Sequence, residues 1–138
     1  MIDILLTDQP LSVEKCKEKV TTPESGGIAL FVGTVRNQTK GKTVVRLEFE
    51  AYGPMAVKEM RKIGEAVQEQ WGAHHIAIHH REGILGIGEI AVVIAVSCAH
   101  RKAAFAGCAY AIDSLKETVP IWKKEIFEDG AVWVAAHP

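Results

Sequence analysis

Three times along this chain one extended segment follows another with no helix between them. Neighbours joined without a crossover helix pair mostly antiparallel, so this spacing constrains the fold more than any other feature. The segments are Ile28 to Val35 with Val44 to Tyr52, Ala73 to Arg81 with Ile90 to Val96, and Ile121 to Phe127 with Ala131 to Val134. Asp129-Gly130 between the last two is a hairpin signal. A first short strand, Ile2 to Leu6, precedes them. Apolar residues at helical spacing predict three helices. One runs from an N-cap at Ser12 to about Val20. One opens at Pro54 and buries Val57, Met60, Ile63, Val67 and Trp71. One starts at Arg101 and buries Ala104, Phe105, Cys108, Ala111, Ile112 and Leu115. The order β-α-β-β-α-β-β-α-β-β predicts an α+β domain, with helices packed on a largely antiparallel sheet.

Some local features refine this reading. Gly33 interrupts the apolar run from Ile28, which marks a bulge or the close approach of another backbone. Arg36 to Lys42 reads as a polar turn, and Gly83, Gly86 and Gly88 as a glycine-rich loop. In Val44 to Tyr52, alternation predicts Val45, Leu47 and Phe49 on one face and Arg46, Glu48 and Glu50 on the other. Pro120 ends the last helix, because proline lacks an N–H and pushes Val119 toward extended geometry.

The 138 residues predict one domain, 1–138. A net charge of −1 argues against a nucleic-acid binder, although a local basic pocket fits it. The longest strongly apolar run, Ile90 to Ala99, is too short to span a bilayer. The N-terminus lacks a basic signal-peptide region. Cys16, Cys98 and Cys108 are odd in number and without metal-type spacing, which fits reduced, mostly buried thiols in a cytoplasmic protein.

The chemistry-bearing candidates begin at the Pro120 break. Lys116 falls in the last helical turn before it and Lys123 just after it. A tight turn could bring both ammonium groups to one pocket, with Trp122 as a flat wall. Two lysines against an aromatic bind an anion or run chemistry through an amine of lowered pKa. The ordinary alternative is a solvated helix end, where lysine suits the dipole anyway. His100-Arg101 sits where a buried strand hands over to a helix. Free N–H groups beside a guanidinium make such a place a phosphate site in kind, or else simply a surface arginine at a helix start. Arg36, at the end of another apolar strand, could supply a second fork. His74, His75, His79 and His80 resemble a metal cluster, but on a strand neighbours point apart and His75 and His79 lie about 13 Å apart. Solvated or interface histidines are expected, with no metal. The 83–88 glycines precede a strand rather than opening a helix, so no nucleotide motif is read there.

Five stretches, taken together, resemble the large, catalytic subunit of molybdopterin synthase, the MoaE family. They are Gly27-Ile-Ala-Leu-Phe-Val-Gly-Thr-Val-Arg-Asn37, Leu47-Glu-Phe-Glu-Ala-Tyr52, His80-Arg-Glu-Gly-Ile-Leu-Gly-Ile-Gly-Glu89, Val96-Ser-Cys-Ala-His-Arg-Lys-Ala-Ala-Phe105 and Leu115-Lys-Glu-Thr-Val-Pro-Ile-Trp-Lys-Lys-Glu125. The resemblance runs from about residue 1 to Trp133. It implies an α/β hammerhead-type domain with an added antiparallel β subdomain, and an enzyme that transfers sulfur in molybdenum cofactor biosynthesis. A small ubiquitin-like carrier would insert its C-terminal Gly-Gly thiocarboxylate, and cyclic pyranopterin monophosphate would receive two dithiolene sulfurs. The implied assembly is a homodimer within a heterotetramer, with no further cofactor. The family's catalytic lysine maps onto Lys116, its second pocket lysine onto Lys123, and its substrate-binding residues onto Arg36, His100 and Arg101. Family members often continue in a basic tail. Here the chain stops at Pro138, so that contribution is lost or falls to His137. Two other readings are a non-enzymatic phosphopterin- or nucleotide-binding module using Arg36, His100 and Arg101, and a structural partner that only docks the carrier.

Overall fold

The computed structural model describes residues 1–135, so the expectation attached to His137 lies outside the described residues. The elements are β1 (Ile2–Thr7), α1 (Val13–Val20), β2 (Gly27–Thr34), β3 (Gln38–Thr39), β4 (Lys42–Ala51), α2 (Gly53–Trp71), β5 (His75–Arg81), β6 (Gly83–Gly86), β7 (Ile90–Cys98), α3 (Arg101–Thr118), β8 (Ile121–Phe127) and β9 (Val132–Ala135). The expected strands and helices are present, with two short strands added. The polar turn after Arg36 is a hairpin in which Lys40 and Gly41 both take positive φ, the twist that suits a two-residue loop. The expected 83–88 loop contains β6, which pairs with β4. Its four residues are too few for periodicity to reveal.

Two sheets result. The first has the order β1-β5-β7-β2, antiparallel except for β1 beside β5. Helices α2 and α3 cover one of its faces, where Met60, Ile63 and Val67 meet Ile76, Ile78, Ile94, Val96, Ala104 and Ala111. The short helix α1 covers part of the other face through Cys16 and Val20 against Ala77, Val93 and Ala95. Ser12 caps it by accepting from the Lys15 N–H. Ile28, Leu30 and Val32 on edge strand β2 stay exposed. The second sheet carries β3-β4-β8-β9, with β6 also on β4. Strand β4 is therefore paired along both sides.

Three side chains depart from the expected faces. Val44 is buried and Val45 exposed, because the β4–β8 register shifts between Val44 and Arg46. Val45 is the extra residue of a bulge, which alternation alone cannot show. Phe105 and Val57 lie on the outer sides of their helices. Ala56, Gly64 and Gly107 take the close helix contacts instead.

Candidate active site

A cavity of about 450 Å³ opens between the two sheets, and its walls follow from strand alternation. Phe31, Gly33 and Val92 line it from the first sheet. Leu47, Phe49, Lys123 and Glu125 line it from the second, each pair two residues apart and so on one strand face. Gly33 is where β2 changes register against β7, and a Cβ there would come within 2.6 Å of a Val92 methyl. The absence of a side chain allows the two strands to close beside the cavity. Arg36 follows β2, and Lys116 projects from the last turn of α3. The helix stops at Thr118, with Val119 extended before Pro120, and β8 starts at once. The break thus places Lys116 and Lys123 on the same cavity, together with Arg36.

Three further residues define the polar character of the walls. Glu125 is buried, accepts from the Thr39 hydroxyl at 2.6 Å and lies 3.5 Å from the Lys123 ammonium. It counters part of the local positive charge and limits where Lys123 can sit. Its two-residue spacing from Lys123 on an extended segment was a readable sign that it shares that face. His80 also lines the cavity, 1% exposed, with Phe49 edge-on at 5.3 Å. Burial depresses the imidazole from the ordinary 6.5 to about 4, against a smaller opposing effect of its bond to the Arg81 carbonyl.

Other expectations are corrected here. Trp122 is no wall for the lysines: it precedes Lys123 on a strand, points to the opposite face, and lines a separate depression with Ile84 and Val134. His79 and His80 are not solvated but buried. His79 donates through Nε2 to Asp3 at 2.6 Å, which leaves Nδ1 to accept from the Cys16 thiol at 3.2 Å. That thiol is raised to about 11, first by burial and then by the Asp3 charge, so the chain of contacts anchors α1 rather than arming a nucleophile. Burial raises Cys108 to about 11 as well. Among the described residues no group of three His, Cys, Asp or Glu side chains could hold a metal ion. His100 and Arg101 do not line the cavity. Arg101 begins α3 directly after the N-cap His100, and fifteen residues at the helical rise put it about 22 Å from Lys116 along the axis.

An α+β frame with a cationic cleft between its two sheets defines a small-anion site of the kind an acyl- or group-transfer enzyme uses. The family model for the MoaE protein matches residues 6–118, and the chain belongs to that family. The molybdopterin synthase catalytic subunit of Bacillus subtilis is 53% identical over 129 residues, which are 94% of this chain and 82% of that one. The human molybdopterin synthase catalytic subunit is 48% identical over 130 residues, 94% of this chain and 69% of that one. The crystal structure of molybdopterin synthase from Staphylococcus aureus superposes with a TM-score of 0.89 at 43% identity, covering 98% of this chain and 96% of that one.

Proposed function

We propose that this chain acts as a molybdopterin synthase catalytic subunit, and that residues 1–138 form one such domain. It moves sulfur from the C-terminal thiocarboxylate of a small ubiquitin-like carrier to cyclic pyranopterin monophosphate. In each of two rounds the sulfur bonds to a substrate carbon and displaces an oxygen substituent from it, and the carrier's acyl carbon–sulfur bond then breaks by hydrolysis. Water supplies the oxygen that leaves the carrier with an ordinary carboxylate. The observation that carries this reading is the convergence of Lys116, Lys123 and Arg36 on one cavity. Both reactants are anionic, and a chain of net charge −1 must concentrate its positive charge locally to hold them. Lys116 is assigned the reacting end: it orients the thiocarboxylate and stabilises the charge that develops on its carbonyl oxygen. Lys123, tethered by Glu125, supplies field and orientation, and Arg36 forks onto the phosphate.

His100 and Arg101 cannot reach the same small substrate as Lys116 from within one chain. We assign their substrate contact to the second copy of a homodimer, so that each cavity is completed across the interface. Strand β4 has no free edge to offer a second copy, and we assign the dimer surface to edge strand β2 with its exposed Ile28, Leu30 and Val32. The binding-module alternative, which uses Arg36, His100 and Arg101, leaves Lys116 and Lys123 without a role in the cavity they line. The three cysteines are free and buried, which supports a reducing, cytoplasmic setting. Among the described residues no helix is long and apolar enough to cross a membrane.

The test combines the protein, thiocarboxylated carrier and cyclic pyranopterin monophosphate. Dithiolene product in proportion to the carrier consumed is expected. Binding of the pterin without any product would favour the non-enzymatic module.

A further inference from the structure

Among the described residues, one buried side-chain polar atom is without a hydrogen-bond partner: Nε2 of His80. Its place is set by β5, where alternation turns His80 toward the face of Ile76 and Ile78 and away from the face of His79. The strand ends one residue later, so the ring sits at the rim of the first sheet, on the wall of the cavity shared by Lys116 and Lys123. The tautomer follows from the other nitrogen. Nδ1 is 2.8 Å from the Arg81 carbonyl, which can only accept, so Nδ1 carries the hydrogen. Nε2 is then a bare lone pair. Burial keeps the ring neutral, so Nε2 stays an acceptor throughout the neutral range.

Packing does not require a histidine here. Its neighbour is the ring of Phe49, and a phenylalanine would fill similar space without an unsatisfied buried nitrogen. The other charged wall groups leave one kind of partner unserved. Arg36, Lys116 and Lys123 are donors, and Glu125 is already engaged by Thr39 and Lys123. The threonine hydroxyls in the wall can turn to donate or accept. His80 Nε2 is the obligate side-chain acceptor left unengaged, and a ligand held only by cations would leave its own N–H groups unmatched.

We propose that His80 is a substrate-orienting residue whose Nε2 accepts a hydrogen bond from a ring N–H of the pterin, while the cations hold its phosphate and the incoming thiocarboxylate. This rests on the functional reading above and adds to it the element that selects a heterocycle over a bare anion. A heterocycle with N–H donors on the edge facing His80 is accepted, and one with only acceptors there is refused.

The first arm of the test uses the wild-type chain with ¹⁵N-labelled histidine. The Nε2 resonance of His80 is expected to shift when cyclic pyranopterin monophosphate saturates the site, and to stay put with inorganic phosphate. The second arm compares His80→Phe and His80→Gln in calorimetry and turnover. The Phe variant should bind the pterin about tenfold more weakly, the scale of one buried hydrogen bond, with KM raised more than kcat is lowered. The Gln variant, which can offer an amide oxygen, should recover part of the loss. Competition by inorganic phosphate and affinity for the carrier should be unchanged in both. An unmoved Nε2 resonance at saturation, or wild-type pterin affinity in the Phe variant, would overturn the proposal and leave His80 a structural residue. Failure of the wild-type chain to bind the pterin at all would instead overturn the functional reading.

Discussion

Replacing His80 by phenylalanine should flatten the acid limb of the stability curve. In the folded chain the imidazole takes up its proton only near pH 4, whereas in the unfolded chain it does so near 6.5. Between those values the unfolded state binds more protons, so stability rises with pH and is lost progressively as pH falls. Above about 6.5 the penalty is absent. Each unit of pKa difference corresponds to about 1.4 kcal/mol, so His80 alone should remove about 3 kcal/mol by pH 4. That is a large fraction of the stability of a domain of this size. Asp3 does not contribute in this window. Burial would raise its carboxyl, but hydrogen bonds from His79 and Lys19 outweigh that and hold it below 3.8, so its stabilisation is lost only at more acidic pH. His75 is lowered by burial and by the neighbouring N-terminal charge, but it contributes equally to both proteins.

The assay is urea unfolding of wild type and His80→Phe from pH 7.5 to 4.5 at one fixed protein concentration, because subunit association also contributes. The difference between the two curves should be flat above pH 6.5 and change steadily below it, with wild type losing ground. Parallel curves across the whole range would refute the claim that this ring is held neutral by burial.

Other substitutions address the site. Lys116→Ala should abolish product formation with fold and dimer intact, and Lys116→Arg should be nearly as inactive, because a wide guanidinium fork cannot place its charge where a compact ammonium does. Single-turnover rates measure both, each thousandfold loss corresponding to about 4 kcal/mol. Glu125→Gln keeps an acceptor for Thr39 but removes the charge facing Lys123, and should lower turnover while costing about 1 kcal/mol or less in thermal unfolding. Lys116→Ala should be inactive and Arg101→Ala should bind the pterin more weakly by about 1.5–3 kcal/mol, yet at low pterin concentration mixing them under subunit exchange should restore about a quarter of the wild-type sites, since half the dimers would carry one intact composite cavity. Absence of any recovery would remove the cross-dimer assignment of Arg101.

Much of this architecture was legible because the long elements advertise themselves. Ile90 to Val96 reads as a strand from its continuous apolar run, and both α2 and α3 show stripes of helical period. Strands β3 and β6 were hidden because two and four residues carry no period, and β6 is mostly glycine and leucine. Val45 and Trp122 were assigned to the wrong faces for different reasons. The bulge that displaces Val45 is set by the register of the partner strand and is invisible locally, whereas simple alternation along β8 already turns Trp122 away from Lys123. His79 and His80 looked like surface histidines because what buries them, Asp3 and Cys16 for one and Phe49 for the other, is distant in sequence. The site was half legible. Lys116 and Lys123 could be singled out by the Pro120 break, but their convergence needed the second sheet. His100 and Arg101 could be recognised as a helix start, but not that the length of α3 separates them from the lysines.

That length also shows what holds the two lysines in relation to each other. Lys116 belongs to the helix of the first layer and Lys123 to a strand of the second, so their geometry depends on the junction between them. Leu115, Val119 and Ile121 are all fully buried there. The Val119 N–H donates to the Leu115 carbonyl at 3.2 Å, the Ile121 N–H to the Val119 carbonyl at 2.8 Å, and the Tyr52 N–H to the Pro120 carbonyl at 3.1 Å. The junction is thus tied to the helix, to itself and to the end of β4. Ile121→Val removes one methylene from this anchor without touching the cavity wall, and should cost about 1 kcal/mol of stability, too little to unfold the chain. If the junction sets the distance between the ammonium groups, turnover should fall several-fold more than the lost folded fraction explains, because small misplacements of reacting groups are costly. Affinity for the carrier and for the pterin should stay near wild type. Full turnover in a measurably destabilised Ile121→Val would show that the lysines find their positions without this anchor, through Glu125 and the bound anions alone.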